Sequence, residues 1–327
     1  MPYVKDVGIV GLPYSGKSTL FTALTRSGSS GGRANQAVVD VPDERLSVLA
    51  SMERSRKVVP AKVRFVDVPG GLTAQGIAEY RQTDALCIVV RAFGPDADPK
   101  AELTELETEL MVTDMASVEG GMERARKRAR GSAEGRAELA ALERAHAILD
   151  SERPLRDGDL DDAALRLLKV YGFLTLKPWV VVANVEEGVA TSALDEALIV
   201  SAALEAEVAG MGSDEAAELL AGFGVDRSGL DQVIEGCYRG LDLITFLTTG
   251  EDETRAWEVR RGAKAPEAAG AIHSDLERGF IRAEVISFDD LVAVGGWDPA
   301  KAAGRLRVEG KAYVVREGDV LNIRFAV

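Results

Sequence analysis

The sequence predicts an α/β protein with three parts: an N-terminal α/β domain, an antiparallel helical hairpin inserted into it and a C-terminal α+β domain. Three observations lead to this fold class. A phosphate-binding motif joins a strand-like run to a helix-like run near the N-terminus, long amphipathic patterns fill residues 102–149, and strand-like runs return after residue 243. The 327 residues are enough for two or three domains with cores of their own.

Composition and charge exclude several classes of protein. Lys and Arg total 39 against 53 Asp and Glu, and the resulting net charge of −14 is spread along the chain, so we expect no DNA or membrane partner. No apolar run approaches the ~20 residues of a membrane span, and strand-like sequence begins almost at once, so we expect no signal peptide and a cytoplasmic location. Cys87 and Cys237 lack CxxC spacing and lie in apolar sequence, which predicts buried thiols.

Residues 11–19 (GLPYSGKST) carry the strongest functional signal. They match GxxxxGK[ST] and lie between an apolar run at residues 6–10 and helically spaced apolar residues at 20–24. A loop of this kind turns its backbone N–H groups around phosphate oxygens at the positive end of a helix. We therefore expect Lys17 to reach the β- and γ-phosphates of a nucleoside triphosphate and the Ser18 hydroxyl to ligate Mg²⁺.

A second strand, predicted at residues 63–66, ends in a DxxG motif. Asp67 at the strand end is placed to hold the magnesium ion through water, and the Gly70 N–H is placed to approach the γ-phosphate. The ends of neighbouring strands meet where α/β sheets bind ligands. The predicted catalytic residues are thus Lys17, Asp67 and Gly70, and the predicted metal ligands are Ser18 and Asp67.

Two apolar runs, at residues 85–90 and 179–183, are typical of buried parallel strands. The second leads into residues 184–187 (NVEE), where many P-loop GTPases have NKxD. The longer side chain of Glu187 shifts the carboxylate and Val185 replaces the lysine, so guanine loses a bidentate partner and ATP becomes a candidate beside GTP.

The last strand of this sheet is predicted at residues 198–200, followed by a loop that flanks the base. The complete set of predicted nucleotide-binding residues is Pro13, Tyr14, Ser15, Gly16, Lys17, Ser18, Thr19, Asn184, Val185, Glu187, Ser201, Ala202 and Ala203.

Two helical patterns predict a hairpin that joins near residues 131–135. Apolar positions at spacings of three and four form a seam in each helix, and the seams contain Leu103, Leu106 and Leu110, then Leu139, Leu142, His146 and Leu149. We expect His146 to pack between the helices rather than to bind a ligand. A basic cluster near the turn comprises Arg124, Arg126, Lys127, Arg128 and Arg130. It is either a solvated helix face or a surface for the phosphates of RNA.

The C-terminal segment predicts a small α+β domain. Strands are expected at residues 243–249 and 255–259, a helix at 265–273, and two strands within 312–325 about a Glu-Gly-Asp turn. His273, Ser274 and Asp275 are adjacent, which does not suit a catalytic triad, so capping of a helix end by Ser274 or Asp275 is expected. Trp257 and Trp297 are expected in the core or at a domain contact.

Four segments together resemble the Obg-like ATPases of the YchF family. They are the phosphate loop with Leu20 and Phe21, the NVEE motif, residues 201–207 (SAALEAE) and residues 271–285 (AIHSDLERGFIRAEV). The resemblance implies a Ras-like domain interrupted by a helical hairpin and followed by a β-grasp TGS domain. It also implies preference for ATP over GTP and association with ribosomes. The implied boundaries are residues 1–94 and 171–236 for the NTPase domain, 95–170 for the hairpin and 237–327 for the TGS-like domain.

The chain departs from the family in both switch regions. The first switch, at residues 26–37, is short and lacks the family's threonine, and the second is cut to residues 71–76. Gly71 stands where a signalling GTPase often has a water-positioning glutamine, which leaves Gln75 or a partner's group as candidates. The leading hypothesis is a slow, ribosome-associated ATPase that acts as a switch. The alternatives are a nucleotide-bound adaptor with little hydrolysis, a GTP-preferring GTPase and, less favoured, a small-molecule kinase.

Overall fold

The structure is a computed structural model that describes residues 4–25 and 35–326. The described residues form two compact units. The first contains residues 5–25, 35–38 and 64–237, and the second contains residue 4, residues 39–63 and residues 238–326. The grouping of residues 39–63 with the C-terminal residues was not anticipated from the sequence.

The secondary-structure elements of the described residues are numbered in chain order. The strands are β1 (Lys5–Val10), β2 (Asn35–Asp40), β3 (Val58–Val59), β4 (Lys62–Asp67), β5 (Ala85–Ala92), β6 (Trp179–Val185), β7 (Leu198–Val200), β8 (Leu243–Thr248), β9 (Thr254–Arg260), β10 (Phe280–Ser287), β11 (Arg307–Glu309) and β12 (Asp319–Phe325). The helices are α1 (Lys17–Thr25), α2 (Glu44–Glu53), α3 (Ala74–Tyr80), α4 (Pro99–Ala129), α5 (Ala133–Asp150), α6 (Asp162–Leu168), α7 (Ala202–Val208), α8 (Ser213–Gly222), α9 (Gly229–Gly240), α10 (Ala265–Ile272), α11 (Ser274–Arg278), α12 (Phe288–Val294) and α13 (Trp297–Ala302). None of them has the length and apolar character that a membrane-crossing helix requires.

The first unit is built on a six-stranded sheet in the order β2-β4-β1-β5-β6-β7. The strands β1, β5, β6 and β7 pair in parallel, which agrees with the continuous apolar runs of their sequences. The residues of β5 from Ala85 to Val90 are almost completely buried. Because α4 packs Leu106 and Leu110 into the same core, the helix is fixed against the sheet.

Helices α4 and α5 form the predicted hairpin. Asp98 caps α4 by accepting a hydrogen bond from the Ala101 N–H at 3.0 Å, and Pro99 begins the helix. At the turn, Ser132 caps α5 by accepting from the Gly135 N–H at 2.9 Å. His146 is half-buried beside Glu119 on the flank of the hairpin, with the two side chains 4.0 Å apart.

A buried carboxylate anchors the hairpin to the rest of the first unit. Asp114 of α4 is fully buried and accepts hydrogen bonds from the Leu174 N–H at 3.0 Å, the Thr175 N–H at 2.7 Å and the Thr175 hydroxyl at 2.8 Å. Burial raises the pKa of this carboxyl, and the three hydrogen bonds partly offset that effect. The segment before β6 is therefore tied to the middle of α4.

The second unit has a mixed six-stranded sheet in the order β11-β10-β12-β8-β9-β3. Its core contains Phe246 and Trp257, whose rings stack with centroids 6.5 Å apart, so Trp257 is a core residue as expected. The Trp297 indole N–H donates to the Thr249 carbonyl at 3.4 Å within the same unit. Helix α10 begins at Ala265 and ends at Ile272, close to the predicted bounds.

Two sequence predictions for this unit were wrong. Residues 312–316 are not a regular strand, since their ladder is a single bridge between Val314 and Lys264, and β10 and β11 supply the antiparallel partners instead. The cap of α11 is His273, whose Nδ1 accepts from the Asp275 N–H at 3.2 Å. Neither Ser274 nor Asp275 takes the capping role there, because the imidazole already satisfies the first helical N–H.

Candidate functional site

The phosphate loop connects β1 to α1 and has a backbone that its sequence dictates. Gly16 has φ +89°, and a Cβ at this residue would lie 2.1 Å from the Asn184 Nδ2 atom, so no other residue fits. Tyr14 also has a positive φ, +67°, and its side chain is 89% exposed. A bulky residue in this conformation is strained, and such strain is common where a loop is shaped for a ligand.

The positive end of α1 faces this loop. The first turn of α1, residues 17–20, is described in full and contains no acid that would neutralise the helix dipole. Lys17 is half-buried, and its Nζ lies 3.5 Å from the Leu12 carbonyl of the same loop. Backbone N–H groups, the helix terminus and one ammonium group thus converge where a phosphate chain would bind.

The predicted metal residues lie together. The Ser18 hydroxyl is 3.4 Å from Asp67 Oδ2, and the Asn35 amide donates to the same oxygen at 3.5 Å. Asp67 is 1% exposed, and its Oδ1 has no hydrogen-bond partner among residues 4–25 and 35–326. A buried carboxylate oxygen without a donor and a neighbouring hydroxyl fit a hard cation such as Mg²⁺, which is bound through few protein oxygens together with substrate phosphates.

Electrostatics at Asp67 support the same interpretation. Burial raises the pKa of the Asp67 carboxyl, while the hydrogen bond from Asn35 and the positive charge of Lys17 act in the opposite direction. A divalent cation would supply the charge that this buried carboxylate lacks. The DxxG turn follows directly: the Gly71 N–H donates to the Val68 carbonyl at 3.1 Å, and Thr73 caps α3 through the Gly76 N–H at 3.3 Å.

A cavity lies between this turn and α4, on the side where the DxxG motif predicts the γ-phosphate. Its volume is about 620 Å³. It is lined by Gly11, Leu12, Pro13, Lys17, Gly70, Gly71, Leu72, Thr73, Thr108, Glu109, Val112 and Thr113. Gln75, the sequence-based candidate for orienting water, is exposed on α3 and is not among the described residues that line the cavity.

Asn184 connects the phosphate loop to the base-flanking loop. It is 5% exposed, donates through Nδ2 to the Ser15 carbonyl at 3.0 Å and accepts through Oδ1 from the Ala202 N–H at 3.0 Å. One amide side chain thereby fixes both loops at the end of β6. Ser201 in turn caps α7 by accepting from the Leu204 N–H at 3.4 Å.

A second cavity, of about 480 Å³, lies beside Asn184 and matches the predicted base site. Its lining consists of Gly16, Thr19, Phe93, Asn184, Val185, Glu186, Glu187, Ser201, Ala202 and Ala203. Eight of the sequence-predicted nucleotide-binding residues are in this set, and the phosphate loop supplies the others. Val185 is 4% exposed, and Glu187 is exposed at the cavity rim.

Sequence reasoning missed three residues of the site. Phe93 lines the base cavity, and Glu186 holds the adjacent loop because its Oε1 accepts from the Gly94 N–H at 3.0 Å. Asn35 contacts Asp67 across the sheet. The position of Phe93 just past the end of β5 was the one available signal, because strand ends at this edge carry ligand contacts. The predicted first switch falls largely on residues 26–34, which lie outside the described residues.

The basic cluster lies on the outer part of the hairpin. Arg124, Arg126, Lys127 and Arg130 are exposed. Arg128 is paired instead: its guanidinium binds Glu138 through two hydrogen bonds, of 3.0 Å and 2.6 Å. Arg128 is exposed as well, so the whole cluster faces solvent, and the other four cations are not part of this ion pair.

Comparison with known proteins reveals relatives that match nearly the whole chain. The chain is 38% identical to the "Ribosome-binding ATPase YchF" of Bacillus subtilis over 361 aligned positions, which cover 98% of this chain and 99% of the relative. It is 40% identical to the protein of the same name from Haemophilus ducreyi, with the same coverage. The alignment of 361 positions is longer than the 327-residue chain, so this chain lacks residues that the Bacillus protein has.

Two family models and one solved structure agree with these relatives. A model described as "50S ribosome-binding GTPase" matches residues 6–117, and the model "YchF-GTPase_C", described as a protein of unknown function, matches residues 243–326. The structure of the Schizosaccharomyces pombe YchF GTPase is similar, with a TM-score of 0.86 and 30% sequence identity over 99% of this chain and 98% of that one. These findings confirm the predicted family and fold class.

Proposed function

The chain belongs to the YchF family of P-loop NTPases, and from this premise we propose that it binds ATP with Mg²⁺ and hydrolyses it slowly as a ribosome-associated switch. The observation that carries the proposal is the convergence of three strand ends. The loop after β1, Asp67 at the end of β4 and Asn184 in β6 meet around one site.

The side chains divide the work of binding and turnover. Lys17 and the N–H groups of the phosphate loop bind the β- and γ-phosphates and stabilise the charge that spreads over the transferred phosphoryl group. Ser18 and Asp67 would hold Mg²⁺, which supplies further neutralisation of phosphate charge when bound. The Gly70 N–H of the DxxG turn is assigned to a γ-phosphate oxygen. Asn184 holds the phosphate loop and the base loop in fixed positions through its two hydrogen bonds.

The choice of base depends on the Glu187 rim of the base cavity. The bacterial relatives are named ATPases, whereas the structural relative is named a GTPase. The names of the relatives therefore do not agree on whether the base is adenine or guanine. Glu187 extends one methylene farther than the aspartate of NKxD. This extension moves the carboxylate away from the position that accepts from guanine N1 and N2. We therefore favour adenine, in a cavity whose other walls are Phe93 and Ala203.

The partner proposal depends on the hairpin. The relatives are named ribosome-binding, and the exposed cations Arg124, Arg126, Lys127 and Arg130 run against the net acidity of the chain. Concentrated Lys and Arg neutralise phosphates without reading sequence, which suits the backbone of ribosomal RNA. A cytoplasmic location follows for a protein with this partner.

The test of nucleotide binding uses Lys17→Ala. We expect the variant to lose affinity for MgATP in a titration with a fluorescent ATP, while its thermal unfolding without nucleotide stays close to that of the wild type. Unchanged affinity would contradict the location of the site.

The test of base preference is a competition between ATP and GTP, measured for the wild type and for Glu187→Asp. The variant is expected to bind GTP more tightly relative to ATP than the wild type does. An unchanged ratio of the two affinities would show that Glu187 does not select the base.

A second candidate is a nucleotide-bound adaptor with little hydrolysis. It is favoured by Gly71, which offers no side chain where signalling GTPases place a glutamine. Phosphate release measured with and without ribosomes separates the two functions. Release that rises with ribosomes supports the switch, and none under either condition supports the adaptor.

A further inference from the structure

The cavity on the γ-phosphate side contains a carboxylate that nothing in the described fold uses. Among the described residues that line it, Lys17 and Glu109 are the charged ones. Glu109 is exposed and makes no hydrogen bond or ion pair within residues 4–25 and 35–326. Other acids of α4 are engaged: Glu102 accepts from the Arg91 N–H at 3.1 Å, and Glu107 pairs with Arg156.

Two of the three threonine hydroxyls of the cavity take part in hydrogen bonds within helices. The Thr108 hydroxyl donates to the Thr104 carbonyl at 2.8 Å, and the Thr73 hydroxyl accepts from the Gly76 N–H to cap α3. Gly71 has no side chain, and a Cβ built on it would lie 3.9 Å from Lys17 Cε, so this glycine is in direct contact with the phosphate loop. Residues 70–72, which line the cavity after the DxxG aspartate, therefore bring no side chain that can take a proton.

Helix α4 holds Glu109 in a defined position. The adjacent Leu110 is 0% exposed and Leu106, one turn earlier, is 1% exposed, and both pack into the core of the sheet. A side chain on a buried, capped helix is placed more accurately than one on a loop. Val112, the next residue of α4 that lines the cavity after Glu109, adds an apolar side chain to the same wall.

We propose that Glu109 is a catalytic residue that accepts a proton from the attacking water in ATP hydrolysis, an inference that rests on the proposed function. The cavity of about 620 Å³ has room for a γ-phosphate and a water molecule, whose share of liquid volume is about 30 Å³. In the step, the water oxygen bonds to the γ-phosphorus. The bond from that phosphorus to the β,γ-bridging oxygen breaks, and its electron pair leaves with ADP. The water proton passes to the Glu109 carboxylate and then to solvent.

The positions of the two charges suit this role. Lys17 belongs to the phosphate loop and the start of α1, whereas Glu109 belongs to α4, so the two charges reach the cavity from different elements. An in-line displacement requires the nucleophile and the leaving group on opposite sides of the phosphorus. A carboxylate beyond the water also avoids close contact with the phosphate oxygens that would repel it.

The experiment compares Glu109→Gln with Glu105→Gln in the full-length chain. Glu105 is an exposed acid one turn earlier on the same helix and does not line the cavity, so it controls for loss of a negative charge on α4. We measure single-turnover phosphate release from MgATP, with and without ribosomes, and affinity for the non-hydrolysable β,γ-imido analogue. General-base catalysis is typically worth about 10²–10⁴-fold, so Glu109→Gln should slow release at least about 100-fold.

Affinity and folding distinguish a chemical role from a structural one. Glu109→Gln should bind the analogue within about threefold of the wild type and unfold at the same temperature. Glu109→Asp should keep part of the rate of phosphate release, and Glu105→Gln should keep all of that rate. Release by Glu109→Gln within threefold of the wild type, or an equal loss in Glu105→Gln, would overturn the inference. If the wild type binds ATP but releases no phosphate under either condition, hydrolysis and the role of Glu109 fail together. If Glu109→Gln hydrolyses ATP at the wild-type rate while Lys17→Ala no longer binds ATP, the role of Glu109 is refuted but the proposed nucleotide site is not.

Discussion

Replacement of Asn184 by alanine tests whether one amide organises the nucleotide site. The substitution removes the donor to the Ser15 carbonyl and the acceptor for the Ala202 N–H, both at 3.0 Å. Each such hydrogen bond is worth about 1 kcal/mol net when water can replace the lost partner. The adjacent cavity of about 480 Å³, which is lined by Asn184 itself, admits that water. The total cost is therefore about 2 kcal/mol.

That energy is expected to appear in nucleotide affinity. If the phosphate loop and the base loop must be ordered to bind, a loss of about 2 kcal/mol raises the Kd for MgATP roughly 30-fold. Calorimetric titration of the variant measures this directly. Asn184→Asp keeps an oxygen for the Ala202 N–H but places a carboxylate against the Ser15 carbonyl, so it should weaken binding through the phosphate loop alone.

A matched control removes an asparagine hydrogen bond in the second unit. Asn322 donates to Glu284 Oε2 at 3.3 Å, and Asn322→Ala is expected to leave nucleotide affinity unchanged. Binding of MgATP by Asn184→Ala within threefold of the wild type would refute the claim that Asn184 organises the site. An equal loss of affinity in Asn322→Ala would show that the effect is general destabilisation.

Three further predictions concern buried groups of the first unit. Asp114→Asn would place an amide N–H against the N–H and hydroxyl donors of Leu174 and Thr175. We expect the free energy of unfolding to fall by about 3 kcal/mol, measurable as a lower Tm. A fall in Tm of less than 2 °C would contradict this prediction. Burial lowers the pKa of Lys177 to about 8, so the unfolded chain binds more protons above pH 8, and the free energy of unfolding should rise from about pH 8 to pH 10.5. In Lys177→Met this rise should be smaller, and an identical pH profile would refute the assignment. Cys87 and Cys237 are fully buried, so neither should react with a thiol reagent before unfolding, and rapid labelling of the native chain would oppose that placement.

The parts of the site that could be predicted from the sequence are those written as contiguous motifs at strand ends. The phosphate loop, Asp67 and Asn184 each follow or end an apolar run whose parallel pairing brings the strand ends to one edge of the sheet. Local residue patterns then fix the chemistry, because the loop needs Gly16 at a positive φ and α1 needs a first turn without acids.

The parts that could not be predicted depend on contacts between distant segments. Asn35 reaches Asp67 only because β2 lies beside β4 in the sheet, and no local pattern encodes that pairing. Residues 39–63 join the second unit through β3, whose two residues pair with β9, and so short a strand leaves no periodicity to detect. The capping role of His273 was missed because an imidazole is an uncommon substitute for a hydroxyl or carboxylate.

The length and anchoring of α4 explain how one helix can serve both the phosphate cavity and the hairpin tip. Glu109 lines the cavity and Arg128 lies near the turn, and at a rise of 1.5 Å per residue the 19 steps from one to the other span about 28 Å. The buried Asp114 ties the helix between these points to the segment before β6. A shift of the cavity wall on nucleotide binding would therefore be transmitted along a continuous helix rather than absorbed by a loop. Because a ligand moves such an equilibrium only by its different affinities for the two positions, the proposed binding to ribosomes and the affinity for nucleotide should change each other by the same factor.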